Sequence, residues 1–180
     1  MPDSAVLLFR DETIVRLFPL LRRAWSMKGE QAKVGITGLN AKRVLLGAIN
    51  ARTGHRIVMR QPNTRQGGFQ AFLRLLRYRY KGRQIWLLLD GASFHIASKS
   101  LTLAQTLNIV LVWLPKQCPE LNAMDHLFKE VKSDISANYQ YKTIDEHAAM
   151  AEQYILQLTN KEALTKAGIL SKNFWLKNLL

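Results

Sequence analysis

The sequence predicts an α/β domain built on a mixed five-stranded sheet, three strands antiparallel and then two parallel, with helices on both faces. Three observations lead there. Two short apolar runs, Ala5-Val6-Leu7-Leu8-Phe9 and Ile85-Trp86-Leu87-Leu88-Leu89, have the length of strands covered on both sides, and each delivers a carboxylate at its end, Asp11 and Asp90. Two further apolar runs, Arg43 to Ile49 and Arg56 to Met59, flank the turn-rich Asn50-Ala51-Arg52-Thr53-Gly54, a link of hairpin type. From Gly68 onward helical and strand patterns alternate, as in a β/α half.

Taken in order, Ile14 to Trp25 reads as an irregular segment or a short helix broken by Pro19, and Gly29 to Gly38 as a loop with a short edge strand. Phe69, Phe72, Leu73, Leu76 and Tyr80 share one helical face, while Arg74, Arg77, Arg79 and Lys81 lie on the others. A helix over Ala97 to Leu107, a strand from Asn108 to Leu114 and a helix opening at Asn122 complete the sheet half. Thr143 with Glu146 has the form of a capping box before a helix through Leu158, and Lys161 to Ala167 predicts one more. Phe174, Trp175 and Leu176 mark a tail that either packs or seeks a partner.

Length and composition limit the function. A chain of 180 residues, 48% hydrophobic, makes one domain with a substantial core, so residues 1–180 read as a single domain. Its net charge of +13 points to a polyanionic partner, nucleic acid before others. Acids are scarce in the middle: between Thr13 and Pro119 only Glu30 and Asp90 occur, while Lys33 to Arg83 holds twelve Lys and Arg. The lone Cys118 excludes an intramolecular disulfide and a cysteine-based metal cluster. With no apolar run of membrane-spanning length and no basic-then-apolar leader, the chain is expected to be intracellular and soluble.

Strand order in such a sheet can bring the ends of the first and fourth strands together, placing Asp11 beside Asp90, and Asp125 can reach the same point from its helix. Carboxylates gathered at one place stay ionised only with cations among them, and oxygen ligands suit Mg²⁺ or, as a substitute, Mn²⁺. Two such ions about 3.5 to 4 Å apart serve phosphodiester chemistry. Each acid also has a plain reading. Asp125 stands three residues after Asn122 and suits a helix N-terminus whatever else it does, and Asp90 suits a turn before Gly91. Asp11 and Glu12 point to opposite faces of a strand, and Glu120 rivals Asp125 for the third position. His95 is a phosphate contact or a satisfied buried histidine; His126 points away from Asp125. The candidate DNA contacts are Arg74, Arg77, Arg79, Lys81, His95, Lys116, Lys129 and Lys132, with the tryptophans and Tyr78 and Tyr80 available for stacking.

The runs LLLDGASFH (87–95), NIVLVWLP (108–115) and CPELNAMDHLFKEVK (118–132) resemble the catalytic core of mariner-type DDE transposases, most closely the bacterial insertion-sequence branch. The thirty-four residues between Asp90 and Asp125 match that family's spacing; FRDE (9–12) resembles its first-acid motif and RVLLGAINARTGHRIVM (43–59) its hairpin. The resemblance implies a ribonuclease H-like fold and metal-carrying Asp11, Asp90 and Asp125, which selects Asp11 over Glu12. It also implies Mg²⁺-dependent cleavage at transposon ends and attack of the freed 3′-hydroxyls on target DNA. Paired ends imply a homodimer. Three positions depart from the family pattern: Gly91 stands where Asn is usual, Ala123 where Pro is usual, and Asp125 where this branch more often has Glu, although aspartate occurs there in mariner elements. Transposases of this type carry N-terminal helix-turn-helix modules that read terminal repeats. Nothing before Asp11 has room for one, so a separate DNA-reading domain or reading frame is the expected partner.

Overall fold

The computed structural model describes residues 4–179. Five strands, β1 (Val6–Arg16), β2 (Lys42–Asn50), β3 (Arg56–Gln61), β4 (Ile85–Leu89) and β5 (Ile109–Trp113), form one sheet in the order β3-β2-β1-β4-β5. The first three are antiparallel neighbours, and β4 and β5 run parallel to β1. This is the mixed sheet that the apolar runs predict.

Side-chain alternation along the central strands divides the interior into two cores. Val6, Leu8, Leu46 and Leu87 point to one face, where Phe69, Phe72, Leu73 and Leu76 of α1 (Gln66–Arg79) and Ala104 of α3 (Ser98–Thr106) cover them. Leu7, Phe9, Leu45 and Leu88 point to the other, beneath α4 (Ala123–Asp134), α5 (Ile144–Gln157) and α6 (Asn160–Lys166). A single turn, α2 (Ser93–Ile96), follows β4. Helices therefore cover both faces.

Several elements differ from expectation. β1 does not end at Phe9 but runs through the acids to Arg16, because β2 pairs with it along its whole second half, from Leu8 opposite Asn50 to Arg16 opposite Lys42. Ile14 to Arg16, expected to be irregular or helical, are thus strand. Beyond them, residues 17–41 hold no helix or strand apart from one bridge between Leu20 and Ala137, so the edge strand expected near Gly29 to Gly38 is absent from the described residues. The Thr143 box is only half formed: Thr143 Oγ1 accepts the Glu146 N–H, but Glu146 Oε2 accepts from Lys142 rather than from the cap residue. A complete capping box stands instead at Thr159 and Glu162, opening α6. The tail packs, with Phe174 and Trp175 set edge-on to Phe9 and Trp175 Nε1 donating to Leu121 O.

One buried cation closes the α5 end. Arg56, 9% exposed, donates to the carbonyls of Gly54, Ile155, Leu156 and Leu158 and to Asn160 Oδ1. It thereby satisfies helix-end carbonyls that have no partner within the helix. Replacing it with Met keeps the apolar stem but strands those acceptors, so Arg56→Met is expected to cost roughly 2–4 kcal/mol in urea unfolding.

Candidate active site

Asp11 sits where the two edges of β1 diverge. On one edge β2 remains paired, with Gly47 directly opposite Asp11; on the other, pairing with β4 stops at Phe9 opposite Leu88. Extending that parallel register brings Asp90 alongside Asp11. A cavity of about 590 Å³ opens there, lined by Asp11, Glu12, Asp90, Gly91, the loop from Leu114 to Pro119, Asn122 and Asp125.

The strand's alternation separates the neighbouring acids. Asp11 shares the face of Phe9 and lies under α4, whereas Glu12 shares the face of Arg10 and forms an ion pair with it. The third carboxylate arrives from above. Asn122 caps α4, its Oδ1 accepting the Met124 N–H at 3.1 Å, while its Nδ2 donates at 3.0 Å to the carbonyl of Arg10, the residue before Asp11. One side chain thus starts the helix and ties it to β1. Gly47 permits the close approach: a Cβ there would lie 2.4 Å from Met124 Cε and 2.8 Å from Phe128 Cζ. Asp125, in the first turn of α4, consequently reaches the cavity that Asp11 and Asp90 line. Glu120 is exposed and does not line it.

The electrostatics are uneven. Burial, followed by the charges of Glu12 and Asp125, pushes Asp11 up to about 7 from its ordinary 3.8. Asp90 moves the opposite way, held below the usual carboxylate range chiefly by its hydrogen bond from His95. Asp125 Oδ2 is shielded from water and accepts no hydrogen bond of good geometry, although Lys129 Nζ lies 2.7 Å away. Among the described residues, no three His, Cys, Asp or Glu side chains already close around a metal position. The donor set still fits a hard divalent cation: oxygen ligands on one cavity, one of them shielded from water without a well-aligned hydrogen-bond donor and another raised by burial and then by its acidic neighbours.

The expected DNA contacts divide into three groups. Lys116 is exposed on the cavity rim, Lys129 pairs with Asp125, and Lys132 lies beside Glu12, Thr13 and Arg16 in an adjoining depression. Arg74, Arg79 and Lys81 are exposed, Arg74 in the middle of α1 and Arg79 and Lys81 at or just past its C-terminal end, which leads into the start of β4, whereas Asp90 follows the opposite end of that strand, about 16 Å along it. Arg77 and His95 are engaged within the fold. Arg77 donates to the carbonyls of Arg83 and Leu107, joining the helix end to the turns before β4 and β5, and His95 is fully buried beneath the site, out of reach of a phosphate.

Sequence reasoning missed Arg10 and Gly47. Gly47 left a signal, an isolated glycine inside an apolar strand, which marks close approach of another element. Arg10 left none, because its burial depends on Phe69, Phe94 and His95 from distant parts of the chain.

A mixed sheet in this order, with aspartates on β1, after β4 and on the helix after β5, defines a ribonuclease H-like domain with an acidic cavity. The chain belongs to the DDE superfamily endonucleases, whose family model matches residues 6–147. A curated relative, the insertion element IS630 uncharacterized 39 kDa protein of Shigella sonnei, is 24% identical over 134 residues, covering 73% of this chain and 39% of that protein. Among solved structures, the Mos1 mariner paired-end complex with Mg matches with a TM-score of 0.72 at 16% identity, over 95% of this chain and 54% of that one. The Mos1 transposase catalytic domain matches with a TM-score of 0.62 at 14% identity, over 91% and 76%. The chain thus spans well under two thirds of that relative and about half of the Mos1 chain in the paired-end complex.

Two outcomes follow from this geometry. Gly47→Val is expected to overpack the α4 contact and cost about 1–3 kcal/mol, while Asn122→Asp, which keeps the cap but loses the donor to Arg10, is expected to cost about 1 kcal/mol. Urea unfolding measures both. For Asp11 the sign is set by a folded pKa above the unfolded one: the folded chain holds the extra proton between pH 4 and 7, so in chelator its stability falls as pH rises through that window. Asp11→Asn is expected to remove that fall, gaining roughly 2–4 kcal/mol over wild type at pH 8 with little difference below pH 4.

Proposed function

We propose that this chain is the catalytic domain of a transposase, cutting DNA phosphodiesters at transposon ends and joining the freed 3′-hydroxyls to target DNA. The observation that carries the reading is the meeting of Asp11, Asp90 and Asp125 in one open cavity on a chain of net charge +13. The three carboxylates would hold Mg²⁺, or Mn²⁺ in its place, and a bound pair of ions would activate the attacking oxygen and stabilise the leaving one. The Mos1 paired-end complexes that share this fold, one with the left transposon end and others with Mn or Mg, support the same reading.

Each residue has its part. Asp90, held ionised by His95, and Asp11, on the adjacent strand, supply ligand oxygens from a rigid sheet; Asp125 closes the set from α4. Lys129, beside Asp125, would turn its ammonium from that carboxylate towards a phosphate as the metal enters. Lys116 on the rim and Lys132 beyond it carry phosphates past the cavity, and Arg74, Arg79 and Lys81 meet DNA farther along. Gly91 lines the cavity with open space where a Cβ would stand, so the site is roomier there than the usual Asn would leave it. A DNA-reading module and a second protomer are the partners this reading calls for.

The test is Mn²⁺ titration by calorimetry on wild type and Asp90→Asn, with plasmid nicking and oligonucleotide joining on the same samples. Wild type is expected to bind Mn²⁺, nick and join, and Asp90→Asn to lose all three. No Mn²⁺ binding by wild type would overturn the reading, and nicking without joining would replace it with a hydrolytic nuclease. DNA affinity is expected to fall steeply between 50 and 200 mM salt, with little sequence preference.

A further inference from the structure

Beneath the acidic cavity lies a buried polar chain that metal binding by three aspartates does not by itself require. His95 and Arg10 are both fully buried. His95 Nδ1 lies 2.9 Å from Asp90 Oδ1 and 3.0 Å from the Asp90 carbonyl oxygen. On the other side of the ring, Nε2 meets Arg10 Nη1, whose second hydrogen goes to Glu12 Oε2. The remaining guanidinium nitrogens, Nε and Nη2, have no hydrogen-bond partner, and the group lies over the ring of Phe69, 5.1 Å from its centroid, with Phe94 at 6.0 Å. A buried cation with unpartnered N–H groups is costly, and an apolar residue would fill the same space more cheaply.

The donors and acceptors fix one arrangement. A guanidinium only donates, so His95 Nε2 must offer its lone pair to Arg10. The ring proton is then on Nδ1, directed at Asp90. With the opposite tautomer, Nε2–H would face an N–H of Arg10 and Nδ1 would present a lone pair to a carboxylate, two repulsive contacts. We propose that Arg10 and His95 are positioning residues: Arg10, anchored by Glu12, fixes the Nδ1–H tautomer of His95, which clamps Asp90 so that its other oxygen faces the metal position. The proposal rests on the reading of Asp90 as a metal ligand. Its side chain is 56% exposed and stands just past the end of β4, where, among the described residues, its hydrogen bonds come from the histidine and a backbone N–H of Ala92.

Two measurements test this. In metal-free protein with ¹⁵N-labelled histidine, the ring-nitrogen shifts of His95, assigned by comparison with His95→Asn, are expected to show Nδ1 protonated and Nε2 bare. Arg10→Met is expected to abolish that pattern. A protonated Nε2 in wild type overturns the proposal whatever the metal does. In Mn²⁺ calorimetry, His95→Leu and Arg10→Met are expected to weaken binding about 10-fold or more, and His95→Asn, which keeps an N–H donor at the Nδ1 position, to recover most of what His95→Leu loses. Circular dichroism and thermal melting check that each variant folds. If Asp90→Asn abolishes binding while His95→Leu binds like wild type, the clamp is wrong and the metal site stands. If Asp90→Asn binds like wild type, both fall.

Discussion

The close approach of α4 to the central strand is the contact on which the site depends. Met124 and Phe128 descend onto the sheet at Gly47, and Asn122 reaches across to the Arg10 carbonyl. Both contacts converge on one rung of the ladder, since Gly47 is the cross-strand partner of Asp11. A side chain at that rung would lift the helix, and lifting the helix would withdraw Asp125. The distance between two carboxylates more than a hundred residues apart is therefore set by the absence of a side chain at a third position.

Gathering those carboxylates has an electrostatic cost that is distributed unevenly. Asp11, hemmed in by burial, Glu12 and Asp125, bears most of it, while Asp90 is relieved by His95 and, more weakly, by Arg10. Alternation along β1 makes this asymmetry possible. Consecutive residues send Arg10 and Glu12 to one side of the sheet and Asp11 to the other, so a buried cation sits behind the acids without filling the cavity in front of them. The overall positive charge acts outside this arrangement, and the residues nearest the acids come from the 115–118 loop and from α4 rather than from the basic helix α1.

Much of this was legible in the residues. The apolar runs gave all five strands, and the thirty-four residues between Asp90 and Asp125 fit one strand-to-helix crossover, which is local information. The N-cap at Asn122 was legible for the same reason, because a cap acts within four residues. What failed was information carried by pairing. The length of β1 depends on where β2 runs, so Ile14 to Arg16 looked irregular when read alone. Arg77 looked like a solvent-facing cation, yet carbonyls from elsewhere in the chain occupy it, and of the two readings open for His95, phosphate contact or satisfied buried histidine, it was contacts with distant Arg10 that decided for the buried one. The complete capping box at Thr159 and Glu162 was overlooked in favour of Thr143, where the chain before the helix takes the second hydrogen bond.

The sequence by itself determined the fold class and the order of the elements, because periodicity, turn chemistry and spacing act over a few residues at a time; it put the three aspartates forward only through their resemblance to a family motif. Only the tertiary structure decided why Asp125 rather than Glu120 reaches the cavity, and that an arginine and a histidine lie buried beneath it. Those outcomes depend on strand register and on helix-to-sheet distance. Both are set by contacts between residues far apart in the chain, and no local pattern encodes them.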